Sequence, residues 1–452
     1  MPQQPTPGSP SHQSLVGEVA RSVRRHAQAG TTPHITKAGQ HHVVPLPRDG
    51  RFRGPSVDTS ALCNLVAIDA AAQTFTAEPG LTFDDLVTAT LAHGLVPTVV
   101  PELKGITVGG AVAGSSLESM SYRYGGLHDS CRSYEVVTGT GEVVRLSPHE
   151  RPELFHLIHG SYGTLGILTE VTAELVPATR TVRLDYHRHD NFDSFADELL
   201  AVSSTDRQGP PEFVDAIVHS PTNLVLALGT FVDDPPPAAE RWITPFYSRS
   251  AEADSELLRT EDYLFRYDAD CHWLARTVPP LEWSPVRRLA GRRLLGSSNL
   301  IHAFGKTSRL LSLGKRRSDL VCDIFVPQRN FQAFFEWHCE HIDHWPLWVV
   351  PYRPPEPYPW LAPAHAERMI DDLYIDCAIY GAPNNRRDRD LSELLESAVF
   401  DLDGIKTLIG RNHYTEDRFW QIYDRDAHLA AKAELDPTGV FPDLFTKFGQ
   451  VG

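Results

Sequence analysis

No two cysteines of this chain stand in a C-x-x-C spacing. The six that occur, at 63, 131, 271, 322, 339 and 377, are scattered over 452 residues. That pattern excludes a disulfide framework and a cysteine-based zinc site, and it fits free thiols in a reducing compartment. Long apolar runs are also missing: no stretch of about 18 such residues occurs, so no membrane-spanning helix or stable membrane anchor is expected. Residues 1–14 are rich in Pro, Gln and Ser and have no basic segment leading into an apolar one. They read as a disordered N-terminus, not a signal peptide. Positive charge is in deficit as well. The 42 Lys and Arg stand against 58 Asp and Glu, a formal charge of -16 that repels phosphate backbones and argues against a nucleic-acid partner. The expectation is a soluble, cytoplasmic protein acting on a small molecule, with homo-oligomerisation left open.

What is present is ordinary globular material. Hydrophobic residues make up 41% and charged residues 22%, enough for a sizeable core. At roughly 150 residues per domain the length implies two or three domains. Apolar residues at 15, 16, 19 and 23 predict a helix over 15–28 closed by Gly30. A second amphipathic helix is expected over 82–93, with Thr82 as cap and Asp84 and Asp85 in its first turn. Short strands are predicted at 32–37, 65–68, 74–77, 133–138, 143–146 and 170–176, with a hairpin at 139–142. Past about residue 178 glycine turns become rare, while Pro, Trp and Tyr become common. Alternating strands follow at 213–219, 224–231, 321–326, 348–352 and 373–380, with a helix-like stretch at 328–341. The chain is thus α+β in two parts, divided near 176–181.

Two segments carry small residues in unusual density. Gly105, Gly109, Gly110 and Gly114 lie among Thr107, Ser115, Ser116 and Ser119, and Gly160-Ser161-Tyr162-Gly163-Thr164-Leu165-Gly166-Ile167 follows some 50 positions later. Glycine admits close approach of backbone to a ligand, and successive backbone N–H groups make a nest for an anion such as a pyrophosphate. The spacing matches neither a P-loop nor a GxGxxG fingerprint, so tight packing of helix on sheet explains the glycines equally well. The pair of segments favours one extended ligand. No histidine spacing points to a metal; His341-x-x-His344 beside Asp343 reads as a polar helix end.

Pro101-Glu102-Leu103-x-x-Ile106-Thr107-Val108-Gly109-Gly110, then Gly114, Glu118-Ser119 and Tyr124-Gly125, resemble the FAD-binding domain of the vanillyl-alcohol oxidase / p-cresol methylhydroxylase (PCMH-type) superfamily. Within it the likeness is greatest to the 24-dehydrocholesterol reductase (Diminuto) branch. Gly163-Thr164-Leu165-Gly166 is similar to the second flavin segment. The likeness continues through Cys322–Pro327, Trp345–Trp348, Leu373–Asp376 with Tyr380-Gly381, and Phe419-Trp420. It implies a PCMH-type FAD-binding domain of two α+β subdomains at 15–178, and an α+β cap domain with an antiparallel sheet at 179–452 whose last residues return to the FAD domain. FAD would lie against Thr107, Val108, Gly109, Gly110, Gly114, Ser115, Ser116, Glu118, Ser119 and Tyr124, and against Gly163, Thr164, Gly166 and Ile167. The first phosphate loop would fall at Gly39, Gln40, His41 and His42, where most of the superfamily's glycines are missing. His41 and His42 are formal candidates for covalent attachment, but the branch implies non-covalent FAD.

The resemblance also implies a reaction. Hydride would pass between flavin N5 and a carbon of a largely apolar molecule, reducing a C=C bond with NADPH as electron donor. Alternation along 373–380 puts Tyr374, Asp376 and Tyr380 on one strand face, where a phenol or buried carboxyl can act as general acid. Arg411 is the candidate cation beside the flavin, with His413 second. Tyr267–Trp273 carries Asp268 and Asp270 where the branch has basic residues and His, a departure that points to a different substrate. Two other readings stand beside this one: an FAD-dependent oxidase or dehydrogenase of an alcohol or sugar carbon, and a flavin-binding protein without catalysis.

Overall fold

The computed structural model describes residues 11–39, 51–204, 209, 211–273, 276, 279–297 and 317–451. The first helix, α1 (His12–Ala29), starts three residues earlier than its apolar pattern indicates. The Ser11 side chain accepts the Ser14 N–H, and this cap carries the helix back across 12–14, residues expected to be disordered. Gly30 ends it at φ 61, the left-handed conformation in which a helix closes without Cβ strain. Leu15, Val16, Val19, Ala20 and Val23 are its buried face. Thr82 caps α2 (Phe83–Leu91), with Asp84 and Asp85 in the first turn.

Six strands make the first sheet: β1 (Leu65–Asp69), β2 (Thr74–Ala77), β3 (Leu95–Pro97), β4 (Cys131–Val137), β5 (Val143–Leu146) and β6 (Ile167–Pro177). Their order is β1-β2-β6-β4-β5, with β3 also paired to β6. β4 and β5 form the expected hairpin, in register at Val137 and Val143. α1 and α2 pack with this sheet, and the short helix α3 (Val108–Ala113) follows the Pro101–Gly105 stretch.

The second sheet contains β7 (Thr181–His189), β8 (Phe213–Ser220), β9 (Asn223–Val232), β10 (Ser255–Arg259), β11 (Leu320–Pro327), β12 (Leu347–Tyr352), β13 (Tyr374–Ala382) and β14 (Ile405–Lys406), in the order β10-β7-β9-β8-β12-β13-β11-β14. Among the described residues every strand pairing in it is antiparallel. Its two faces differ, as period-two alternation requires. Ile375, Cys377 and Ile379 of β13 join Cys322, Ile324 and Val326 of β11 against the helices Phe192–Val202, Phe331–His341 and Leu391–Asp401. The opposite face, with Asp376, Tyr380, Asp323 and Trp348, looks back toward the first sheet.

The chain's end returns to the first half. Gly139 N–H donates to Leu435 O, Val440 and Phe441 pack beside α1, and Lys432 Nζ reaches Thr164 O at 3.2 Å. Two ionic clusters pin the rest. His12 places its ring nitrogens 2.8 Å from Glu78 Oε1 and 3.1 Å from Glu135 Oε1. Between the halves, fully buried Arg266 puts Nη2 2.8 Å from Glu118 Oε1 and 2.9 Å from Asp215 Oδ2. Tyr267 Oη (3.1 Å) and Trp348 Nε1 (2.9 Å) also donate to Asp215 Oδ2.

Removing Arg266 strands two buried carboxylates. Arg266→Met is expected to cost about 3–5 kcal/mol, read from the urea unfolding midpoint. Burial pushes the His12 pKa down, but the Glu78 and Glu135 hydrogen bonds and charges outweigh it and leave it raised. Stabilisation from a raised histidine is complete below its unfolded value and lost as pH climbs through the folded one. His12→Gln should therefore lower Tm more at pH 5.5 than at pH 8.5, and equal drops would remove the charge from the explanation.

Candidate active site

A cavity of about 380 Å³ lies between the halves. From the first half it is lined by the small-residue segments, and from the second by the polar face of β11 and β13. A smaller cavity of about 240 Å³ adjoins it through shared walls at Gly114, Ser115, Leu117, Tyr162, Phe325 and Thr407.

At one end the charged groups are cations. Lys37 Nζ lies 3.2 Å from Thr107 Oγ1, and burial pushes its pKa down to about 8. Lys447, on the helix Leu444–Phe448, donates to Tyr162 O at 2.7 Å; burial and then Arg51 lower it to about 8. Arg51 lines the same wall, its guanidinium 5.5 Å from the Phe448 ring centroid. Buried ammonium groups depressed by desolvation gain from an anion that replaces the lost water. Two polar atoms on the cavity wall also lack a partner: Ser115 Oγ, on a residue at φ 54, and His34 Nδ1. A Cβ at Gly110 would sit 2.9 Å from Lys37 Nζ and 3.1 Å from Thr107 Oγ1, so glycine keeps the approach to both groups open. Donors, cations and an open backbone fit the pyrophosphate of a dinucleotide.

At the other end the groups are acids. Asp323 Oδ1 accepts the Tyr380 hydroxyl at 2.5 Å, and Oδ2 the Thr407 hydroxyl at 3.3 Å. Asp376 Oδ1 is buried without a partner. Glu102 Oε1 lies 2.7 Å from His272 Nε2. Burial, then the charges of Asp323 and Glu102, hold the Asp376 pKa well above the usual carboxylate range. Asp323 is raised more weakly, because its hydrogen bonds from Tyr380 and Thr407 favour the charged form. Burial and like charge thus favour the neutral form of Asp376 more than that of Asp323, whose hydrogen-bond donors favour the charged form.

Of the residues singled out in the sequence, Thr107, Gly109, Gly110, Gly114, Ser115, Ser116, Gly163, Gly166, Ile167, Asp376 and Tyr380 line the large cavity together. Gly39 stands behind them against Thr107. Two of these glycines serve packing: a Cβ at Gly109 would strike Pro79, and one at Gly166 would lie 2.6 Å from Val136 Cγ1. Several expectations need correction. Val108 and Thr164 are buried in the core behind the wall, and Tyr124 packs beside the same core. Glu118 and Ser119 belong to the ionic contact with Arg266 and to a bond with Tyr263 Oη at 3.1 Å. Tyr374 opens into the smaller cavity, because it precedes the stretch of β13 that faces the larger one. Arg411 is not beside the large cavity: its guanidinium is held 2.7 Å from Asp390 Oδ2, and His413 is 3.8 Å from the same oxygen. Asp268 accepts Lys104 N–H and the Ser297 hydroxyl, a structural role. Gln40, His41 and His42 lie outside the described residues. Glu102, Asp323 and His272 were assigned no role in the site from sequence, although they stand in the runs at 101–103, 322–327 and 267–273; Lys447 stands in none of the quoted runs.

Comparison with known proteins agrees with this geometry. Residues 15–147 match the family model described as an FAD binding domain. The chain is 24% identical to the delta(24)-sterol reductases of Macaca fascicularis and Homo sapiens, over 96% of this chain and 86% of each relative. It is 28% identical to cytokinin dehydrogenase 4 of Oryza sativa subsp. japonica, over 44% of this chain and 39% of that one. With an FAD-binding first half and a likeness that runs on through the second, the chain is an FAD-dependent oxidoreductase similar to the PCMH-type FAD-binding family.

Proposed function

We propose that this oxidoreductase reduces a C=C bond of a largely apolar small molecule, as the name of the delta(24)-sterol reductases states for those relatives. The observation that carries the reading is Asp376, a carboxyl on the cavity wall whose buried Oδ1 has no partner and whose pKa burial and two neighbouring acids raise. Alkene reduction needs a proton donor opposite the hydride, whereas oxidation of an alcohol needs an ionised base. Bound FAD, held without a covalent link and reduced by NADPH, supplies the hydride. Asp376 then provides the proton to the second carbon. Tyr380 and Asp323 hold the adjoining wall, and the cap strands exclude water. Lys37, Lys447 and Thr107 hold the pyrophosphate. The smaller cavity, walled by Tyr352, Trp360, Leu361 and Met369, suits the apolar body of the substrate. A cytoplasmic location without nucleic-acid partners belongs to the same reading, supported by the formal charge of -16. Among the described residues no helix is long and apolar enough to cross a membrane.

Anaerobic titration tests the direction. NADPH is expected to bleach the flavin and a Δ24-unsaturated sterol to restore its colour; bleaching by simple alcohols but not by NADPH would establish the oxidase reading instead. Asp376→Asn should leave bleaching by NADPH intact and slow the recovery by alkene about 10²–10⁴-fold. In the parent protein recovery should be flat at low pH and decline as pH rises through the elevated Asp376 pKa, a decline the variant lacks. Lys447→Met removes a charged contact of about 1.5–3 kcal/mol and should weaken FAD about 10–100-fold in a fluorescence titration. On acid precipitation the yellow colour is expected to stay in solution.

A further inference from the structure

His128, Asp129 and His159 converge at the edge of the smaller cavity, away from the acids and cations of the larger one. One ligand atom from each lies within 4.8 Å of the others. His128 and His159 are 1% and 2% exposed. Neither ring nitrogen of His159 has a hydrogen-bond partner, and His128 Nδ1 has none. An imidazole buried in this way loses its water and gains nothing, unless a group not formed by the chain itself fills the gap. A trapped water satisfies one nitrogen; a cation satisfies several convergent lone pairs together.

We propose that His128, Asp129 and His159 bind one divalent transition-metal ion of the zinc class. Two imidazoles and a carboxylate are the donor set such ions take. His128 Nε2, which also lies 2.9 Å from Tyr358 Oη, is 3.4 Å from Asp129 Oδ2, close to the edge of about 3.3 Å for a tetrahedron with bonds of about 2.0 Å. An outer layer is in place: Tyr358 Oη and Gly126 N–H each donate to Asp129 Oδ2 at 2.7 Å. Such donors orient a ligating carboxylate. Phe155 and Tyr134 pack against the His159 ring and keep the site dry. His156, 3.5 Å from the exposed Glu356, marks an approach from solvent. His159 ends the helix Pro152–Ile158 and precedes Gly160 at φ 66, so its ring sits on a turn that can close on the ion. The ion would join the first half to the Tyr358 segment of the second. It is separate from the redox reading above and stands or falls without it.

The test uses the whole flavoprotein, stripped with a chelator, given zinc chloride, desalted and analysed for metal. About one zinc per chain is expected. Tyr358→Phe, which leaves all three ligands, should weaken zinc about 10–100-fold as loss of an outer-layer donor does. His159→Gln and Asp129→Asn should abolish it, with FAD content unchanged as the check of folding. With cobalt chloride, d–d bands should appear in the parent and be missing from His159→Gln. Zinc content below about a tenth of an equivalent, or zinc retained undiminished in both His159→Gln and Asp129→Asn, overturns the proposal.

Discussion

One guanidinium holds the two halves of the molecule in register. Arg266 sits at zero side-chain exposure between Glu118, just past the glycine segment, and Asp215 on β8. Its plane is flanked by Tyr263 and Tyr267, at 4.4 and 4.7 Å from the ring centroids. A buried charge is tolerable only when paired, so neither half can slide without exposing an unpaired ion to a dry core. Burial raises Glu118 to about 7, with Arg266 pulling the other way. Trp348 extends the constraint: its indole fixes β12 to Asp215, and β12 pairs with β13 at Val350 and Asp376. The placing of Asp376 and Tyr380 over the glycine wall follows from that chain of contacts.

With the halves fixed, the cavity between them is electrically polar. Lys37, Arg51 and Lys447 gather at one end, and Glu102, Asp323 and Asp376 at the other. Each set places like charges close together in partly buried surroundings. Such an arrangement is costly for an empty fold. It makes sense for a ligand that is anionic at one end and exchanges a proton at the other. Net charge is silent about one buried pyrophosphate.

Local pattern was legible in the sequence wherever a single element decides it. The caps at Thr82 and Gly30, the hairpin between β4 and β5, and the two faces of β13 all follow from residues within a few positions of one another. β7 escaped detection because the change of composition near residue 178 drew a boundary across its approach, although Val182, Leu184 and Tyr186 alternate inward. Convergence is a different matter. Asp323 and Tyr380 meet across a strand pair 57 positions apart, and Lys447 reaches the wall from the last helix. Spacing left two readings open, and Gly109 and Gly166 satisfy both: they line the cavity, and Pro79 and Val136 leave no room for a side chain. Arg411 had the right charge, but Asp390 claims it.

The acid end also carries backbone strain. Cys271, His272 and Trp273 follow one another at φ 51, 50 and 50. Each non-glycine residue held there costs about 1–3 kcal/mol. The run persists because His272 is gripped on several sides: Glu102 at 2.7 Å, the Tyr267 ring stacked at 4.6 Å, and Tyr380 at 4.6 Å. Stability alone would favour a relaxed turn and apolar residues at this place. Instead, a strained turn, an unpartnered carboxyl oxygen and a short phenol–carboxylate bond meet on one wall. Local rules broken together at one point are what a reacting centre leaves in a fold. In the proposed reading the chemistry belongs at the acid end of the cavity, and the glycine end serves to hold.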